Sequence, residues 1–500
     1  MSTAASRAWI GVALAGLAII VLVVVLSLLP RLTAGQQVID TAKPAFADGR
    51  VGGTRAAMDL LSQYVDFADP LMTARGGADK DARRLVRLIR RELGISSAQA
   101  RRILHREAPH TEALTRALPL SGVAAEIPRL AAYLATTLTV SADELAATLE
   151  QSFPRLAQLL TTLPNVTDGW NDVPGIEGLT RLSRDKPVRT VPGLRKYLRD
   201  DVVPLAVEHE DDFQDLAGRG GIGYIPILLI VLGLALLVYG VLQAGRAATT
   251  APGRLSWSVV VGIGVFLIAL VVVAQYFPRL SGGQELIDDF EPVFAQQRVE
   301  PAAVGLDTVH EAVLVGDPIM TRRGGASRET PRLYALVAQR TGRTRGDVRR
   351  ALSRRAPRTI ALLDALPLTT VGAEAPRLVR YLSRALHMSR AKVRSLLRRR
   401  APRLAQALLV APAVTSGWEQ VPGTGELTRF DGVTPVTTMP AIDDYLRQDL
   451  IPVFVKERAH FETLAGGSTP IDVLGPALLI AGVIMLLYGG TMMQFVARSH

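Results

Sequence analysis

Residues 222–278 read IGYIPILLIVLGLALLVYGVLQ (222–243), AGRAATTAPGRLS (244–256) and WSVVVGIGVFLIALVVVAQYF (257–277), closed by Pro278. Neither apolar run contains a charged residue, and each is long enough to cross a hydrocarbon core of about 30 Å as a helix. The pair therefore predicts a membrane hairpin whose connector carries Arg246 and Arg254.

Outward from this hairpin the chain repeats itself. Pro-Arg-Leu at Pro30 returns at Pro278, Asp69-Pro70 returns as Asp317-Pro318, and Gly169-Trp170 returns as Gly417-Trp418, each 248 residues later. Two copies of one unit replace the three or four domains that 500 residues would otherwise suggest. Residues 1–30 then form a tail and first span, 31–221 a first helical domain, 222–278 the hairpin, 279–469 a second domain repeating the first, and 470–500 a last span and tail. The outer spans fall at 8–29 and 473–496. The first resembles a leader only superficially, because its counterpart at 257–277 is internal; an uncleaved anchor is expected.

Within each domain a shorter period appears. Leu85, Ser96, Pro109 and Pro119 recur 45 residues later as Leu130, Ser141, Pro154 and Pro164, and Thr344 with Pro357 recurs as Ser389 with Pro402. Each subrepeat reads as an apolar-faced helix, a Ser or Thr cap, a second helix, and a third helix opened at proline. The segments 427–430 and 433–438, around Asp431-Gly432, predict a small β-hairpin, with a twin in the first copy. The expected fold is thus all-α: four transmembrane helices and two duplicated helical extramembrane domains, each with such a hairpin.

Charge sets the favoured partners apart from the excluded ones. Residues 31–221 balance 25 basic against 25 acidic side chains, whereas 279–469 hold 28 against 20. The excess is concentrated in 322–403, with 22 cations and 4 anions. Arg390, Arg394 and Arg398 lie at i, i+4 and i+8 of one predicted helix, and Arg345 with Arg349 and Arg350 with Arg354 repeat that spacing on another. Such rows repel one another, so they call for nearby acids or for an external anion. Val393, Leu396 and Leu397 mark the opposite, buried side. A second candidate anion site is the turn Arg75-Gly76-Gly77 and its twin Arg322-Arg323-Gly324-Gly325, where a helix N-terminus follows two glycines.

Catalytic signatures are missing. No GxSxG, SxxK or phosphate-binding loop occurs, no His pair has metal-ligand spacing, and the absence of cysteine excludes thiolate chemistry and disulfides. Glu208, Glu210, Asp211, Asp212 and Asp215 around His209 read as a solvated acidic helix face, because the second copy replaces them with Lys456, Arg458, Ala459, His460 and Thr463. If these two segments faced one another, their opposite charges would select the pairing of the domains. No enzyme, cofactor or metal is expected. The spans carry no ionisable residue in their middles, which disfavours ion transport.

Arg7, Arg246, Arg254 and Arg498 occur in short segments without acids, which places both termini in the cytoplasm and both domains outside it. The richness in Arg and Ala suggests a bacterium. The expectation is a non-enzymatic multi-pass scaffold or accessory subunit of an envelope complex, contacting a protein partner and an anionic lipid or polymer through a basic face of the second domain. A carrier for lipid or another apolar ligand is the alternative. Residues 340–352 and 385–397 also resemble the turn and second helix of a helix-turn-helix, which would make nucleic acid the ligand of a membrane-tethered protein; domains outside the cell make this the lesser reading.

Overall fold

The computed structural model describes all residues except 1, 48, 219–220, 248–252, 274–275, 322–324, 468 and 499–500. It is 81% helical and has no strand among the described residues. Two compact units emerge: Met1–Val51, Leu205–Val299 and Pro452–His500 form one, and Gly52–Pro204 with Glu300–Ile451 forms the other. This grouping cuts across residues 31–221 and 279–469, taking part of each into both units.

The first unit holds four helices long and apolar enough to cross a membrane, Ser6–Val25, Ile222–Ala247, Arg254–Val273 and Ile471–Val496. Their tight packing is not that of the 222–278 hairpin. The Ser2–Val25 helix lies against Ile225–Ala247, and Arg254–Val273 lies against Leu474–Arg498. Small residues allow these approaches: a Cβ on Gly16 would stand 2.5 Å from the Gly233 carbonyl oxygen, and one on Gly264 would stand 2.7 Å from the Leu486 amide nitrogen. Trp9 and Trp257 lie between the packed helices rather than on their outer surface. Both are buried and stacked on one another at 3.8 Å between ring centroids. Tyr239 and Tyr488 meet their edges, with the Tyr488 hydroxyl donating to the Ala8 carbonyl at 2.9 Å.

Beyond the spans, contacts run between the two halves of the chain. Leu464 packs on Gly35, and Leu216 packs on Gly283, at the same 248-residue relation. Arg31, 4% exposed, donates to the carbonyls of Leu464 and Thr469. The acidic segment containing Glu208 is only partly a solvated face: Glu208, Asp211 and Asp215 are exposed, but His209 is buried between Asp212 at 3.1 Å and Asp289 at 2.8 Å. Its charge is therefore answered by the Tyr276–Phe294 helix, while His460 pairs with Glu457 on its own helix at 2.9 Å.

Burial by itself lowers the His209 pKa, but the hydrogen bonds and charges of Asp289 and Asp212 outweigh it and the net direction is up. A raised folded-state pKa contributes stability that is complete below the ordinary value of about 6.5 and is lost as pH rises through the folded value. Denaturation midpoints of the parent should thus fall as pH rises above that ordinary value, and His209→Gln should flatten that slope. Identical slopes for both proteins would exclude this role for His209.

The second unit is built around the helices Arg50–Met72 and Gln296–Met320. The buried Tyr64 hydroxyl donates to the carbonyl of Ala312, its own 248-residue counterpart, at 2.6 Å. Leu60 packs on Gly417 and Thr308 on Gly169, again in exchange between halves. Trp170 and Trp418 are buried and donate to Asp69 and Asp317 at 3.1 and 3.3 Å.

The shorter helices follow the local signals closely. Ser96 and Ser141 form capping boxes with Gln99 and Glu144, and Thr344 and Ser389 accept from the amides of Asp347 and Lys392. The proline-opened helices pose a different problem. Pro109–Ala117, Pro154–Gly169, Pro357–Ala365 and Pro402–Gly417 are preceded by Ala108, Phe153, Ala356 and Ala401, none of which can accept a capping hydrogen bond through its side chain. The acceptors come from the other half of the chain. Glu374 takes the amides of His110 and Thr111, Glu126 those of Arg358 and Thr359, Glu329 those of Arg155 and Leu156, and Asp81 those of Arg403 and Leu404. These carboxylates also complement the positive ends of the helix dipoles.

The predicted β-hairpins reduce to isolated bridges, Thr180 with Pro187 and Thr428 with Pro435. Proline in the bridging position removes the donor that a longer ladder would need. Arg181–Asp201 and Arg429–Asp449 ion pairs hold these turns to the following helical segments instead.

Candidate anion-binding site

The glycine turn and the arginine rows have different surroundings. Gly76 is buried, and a Cβ there would stand 2.3 Å from the Asp69 carbonyl oxygen; its amide donates to Thr73 at 3.0 Å. Gly77 has φ +79°. The turn thus requires glycine for steric reasons alone. The Ala78–Leu93 helix that follows already carries Asp79 and Asp81 in its first turn, so its positive end is served by internal carboxylates. Arg75 is exposed nearby. In the twin turn Arg322, Arg323 and Gly324 lie outside the described residues, and Gly325 approaches the Thr321 carbonyl closely. The helix after it has Glu329 in its first turn.

The row on Arg345–Arg355 is partly neutralised. Arg349 pairs with Asp364 at 2.6 Å and Arg350 with Asp347 at 2.7 Å, which raises the Arg349 pKa through the Asp364 hydrogen bond and lowers that of Asp347 through its bonds to Thr344 and Arg350. Arg345 and Arg354 are exposed to solvent.

The row on Arg390–Arg400 is different. Arg390, Arg394 and Arg398 are exposed, Val393 and Leu397 are buried beneath them, and among the described residues no carboxylate pairs with any of the three arginines. The four acids of 322–403 are engaged elsewhere: Glu329 and Glu374 cap helices, Asp347 holds Arg350, and Asp364 holds Arg349. These three arginines wall a cleft of about 550 Å³ between the Leu368–Ala385, Arg390–Arg400 and Pro402–Gly417 helices. Arg380 completes the wall from the neighbouring helix, also without an acidic partner. Spacing within one helix could not find Arg380; the signal available was only its place in a generally arginine-rich segment.

The floor of the cleft is apolar, formed by Ala375, Val379, Leu408 and Leu409 with Pro376 and Pro412. The equivalent positions of the first half are not basic. Positions 248 residues before Arg380, Arg390, Arg394 and Arg398 are Ala132, Ala142, Ala146 and Glu150.

Among the described residues no group of three or more His, Asp or Glu is arranged to hold a metal ion. Comparison with family models, with curated proteins and with solved structures returns no match for this chain.

Proposed function

We propose that this chain is a non-enzymatic integral membrane scaffold or accessory protein of the cell envelope, whose helical unit stands outside the cytoplasm and presents the Arg390–Arg400 face to an anionic lipid or polymer. The observation that carries the reading is the set of Arg380, Arg390, Arg394 and Arg398 without internal counter-ions, in a unit where the neighbouring acids are all committed. Like charges at helical spacing cost a few tenths of a kcal/mol per pair, and an external anion offsets that cost. The crosswise caps support a fusion of two interlocked copies, in which the first copy keeps the neutral form of the site and the second has become basic. An interlocked body of this kind suits a rigid platform for an envelope protein partner.

The acid-free short segments support cytoplasmic termini and an extracytoplasmic helical unit. Labelling of the cysteine-free chain tests this. Ala391→Cys should react with a membrane-impermeant maleimide in intact cells, whereas Gly253→Cys should react only after permeabilisation. The opposite pattern would place the basic face in the cytoplasm, overturn the proposed location, and bring the helix-turn-helix reading forward.

A further inference from the structure

We propose that the cleft walled by Arg380, Arg390, Arg394 and Arg398 binds a single anionic lipid, one whose headgroup carries at least two negative charges and whose apolar stem rests on Val379, Leu408 and Leu409. This rests on the anion-binding reading above and adds the class of ligand. Three observations carry it.

The first is the chemistry of the walls and floor together. A polymer or a simple ion would be satisfied by the arginines alone and has no use for an apolar floor. A lipid headgroup with the beginning of its chains presents both features to one site. The second is size. About 550 Å³ lies within the size range of small-ligand sites, and six apolar residues share the lining with four arginines. The third is charge. Four guanidinium groups without an acid among them exceed what one phosphodiester neutralises, so a headgroup with two phosphates, or a terminal phosphate of roughly −1.5 to −2, matches better. Arginine also gives planar, bidentate recognition of phosphate oxygens.

The comparison within the chain agrees. Positions 45 residues before the four arginines are Ala335, Arg345, Arg349 and Ser353, of which Arg349 is already paired with Asp364. Of these related positions, those in the last subrepeat bring four unpaired cations around one apolar cleft.

The test uses the purified full-length chain in a neutral detergent, with cardiolipin as the doubly charged lipid, phosphatidylcholine as the zwitterionic control and pyrophosphate as a lipid-free anion. Bound lipid is counted by native mass spectrometry. The parent should retain one cardiolipin in preference to phosphatidylcholine, and pyrophosphate should displace it poorly. Arg390→Gln/Arg394→Gln/Arg398→Gln should weaken cardiolipin binding by roughly a hundredfold, about fivefold for each arginine. Leu409→Asn should weaken cardiolipin but not pyrophosphate. Arg345→Gln/Arg354→Gln, exposed but away from the cleft, should leave both unchanged.

If pyrophosphate displaces cardiolipin fully and Leu409→Asn binds like the parent, the cleft recognises the anion alone; the lipid assignment falls while the anion-binding reading stands. If the triple arginine variant binds cardiolipin as the parent does, both fall. All the substituted arginines are exposed, so a melting midpoint no lower than the parent's is expected for each arginine variant and verifies that the fold is intact.

Discussion

Asp81→Ala is expected to destabilise the helical unit by about 3 kcal/mol, the upper end of the range for orphaning buried hydrogen-bonding groups. Asp81 is 1% exposed and accepts from the Arg403 amide at 2.7 Å, the Leu404 amide at 3.3 Å and the Arg84 guanidinium at 2.9 Å. Alanine would leave two amides in the first turn of Pro402–Gly417 without a partner, and Ala401 before them cannot substitute. Asp81→Asn keeps an acceptor while removing the charge, and should cost about 1 kcal/mol, as a neutral cap replaces a charged one. Glu329→Ala removes the corresponding cap on Pro154–Gly169 and should resemble Asp81→Ala. Urea midpoints of the full-length protein measure all three. Because each carboxylate joins the two halves of the chain, these variants should also become cleavable by protease around the uncapped helix. A midpoint for Asp81→Ala within error of the parent would mean that the crosswise caps are geometrically present but energetically idle.

Gly16→Leu should produce the second large effect. Its Cβ alone would stand 2.5 Å from the Gly233 carbonyl oxygen and 2.6 Å from the Leu237 amide nitrogen, both backbone atoms that cannot rotate away. The helices Ser2–Val25 and Ile225–Ala247 would have to separate, at a cost of about 3 kcal/mol or more, the upper end for inserting bulk into a packed interface. Gly264→Leu should act alike on the other pair, where the Leu486 amide is 2.7 Å away. Gly262→Leu is the matched control: it adds the same bulk to the same helix with nothing within 4 Å of its Cβ. Thermal midpoints in detergent should fall for the first two and hold for the third. Equal midpoints for Gly264→Leu and Gly262→Leu would show that the close approach does not contribute to stability.

Much of this molecule is legible in the chain because its signals are local. A bilayer span needs only an uninterrupted apolar run, and four were readable at 8–29, 222–243, 257–277 and 473–496, each overlapping a helix long and apolar enough to cross a membrane. Ser96, Ser141, Thr344 and Ser389 cap helices because the cap and the amide it meets lie three residues apart. The outward direction of Arg390, Arg394 and Arg398 follows from helical period against the buried Val393 and Leu397. Other features could not be read this way. Which spans pack most closely could not be read from their order: the fit of Gly16 to Gly233 and of Gly264 to Gly482 pairs each span with a distant one, and no hydropathy pattern encodes shape complementarity across such separations. Asp81, Glu126, Glu329 and Glu374 look like ordinary surface acids until helices from the other half arrive over them. The arginine rows were equivalent by spacing; only tertiary structure set acids beside Arg349 and Arg350 and left the Arg390–Arg400 row beside Arg380 over an apolar floor, because counter-ion pairing depends on where separate helices cross rather than on the period of any one of them.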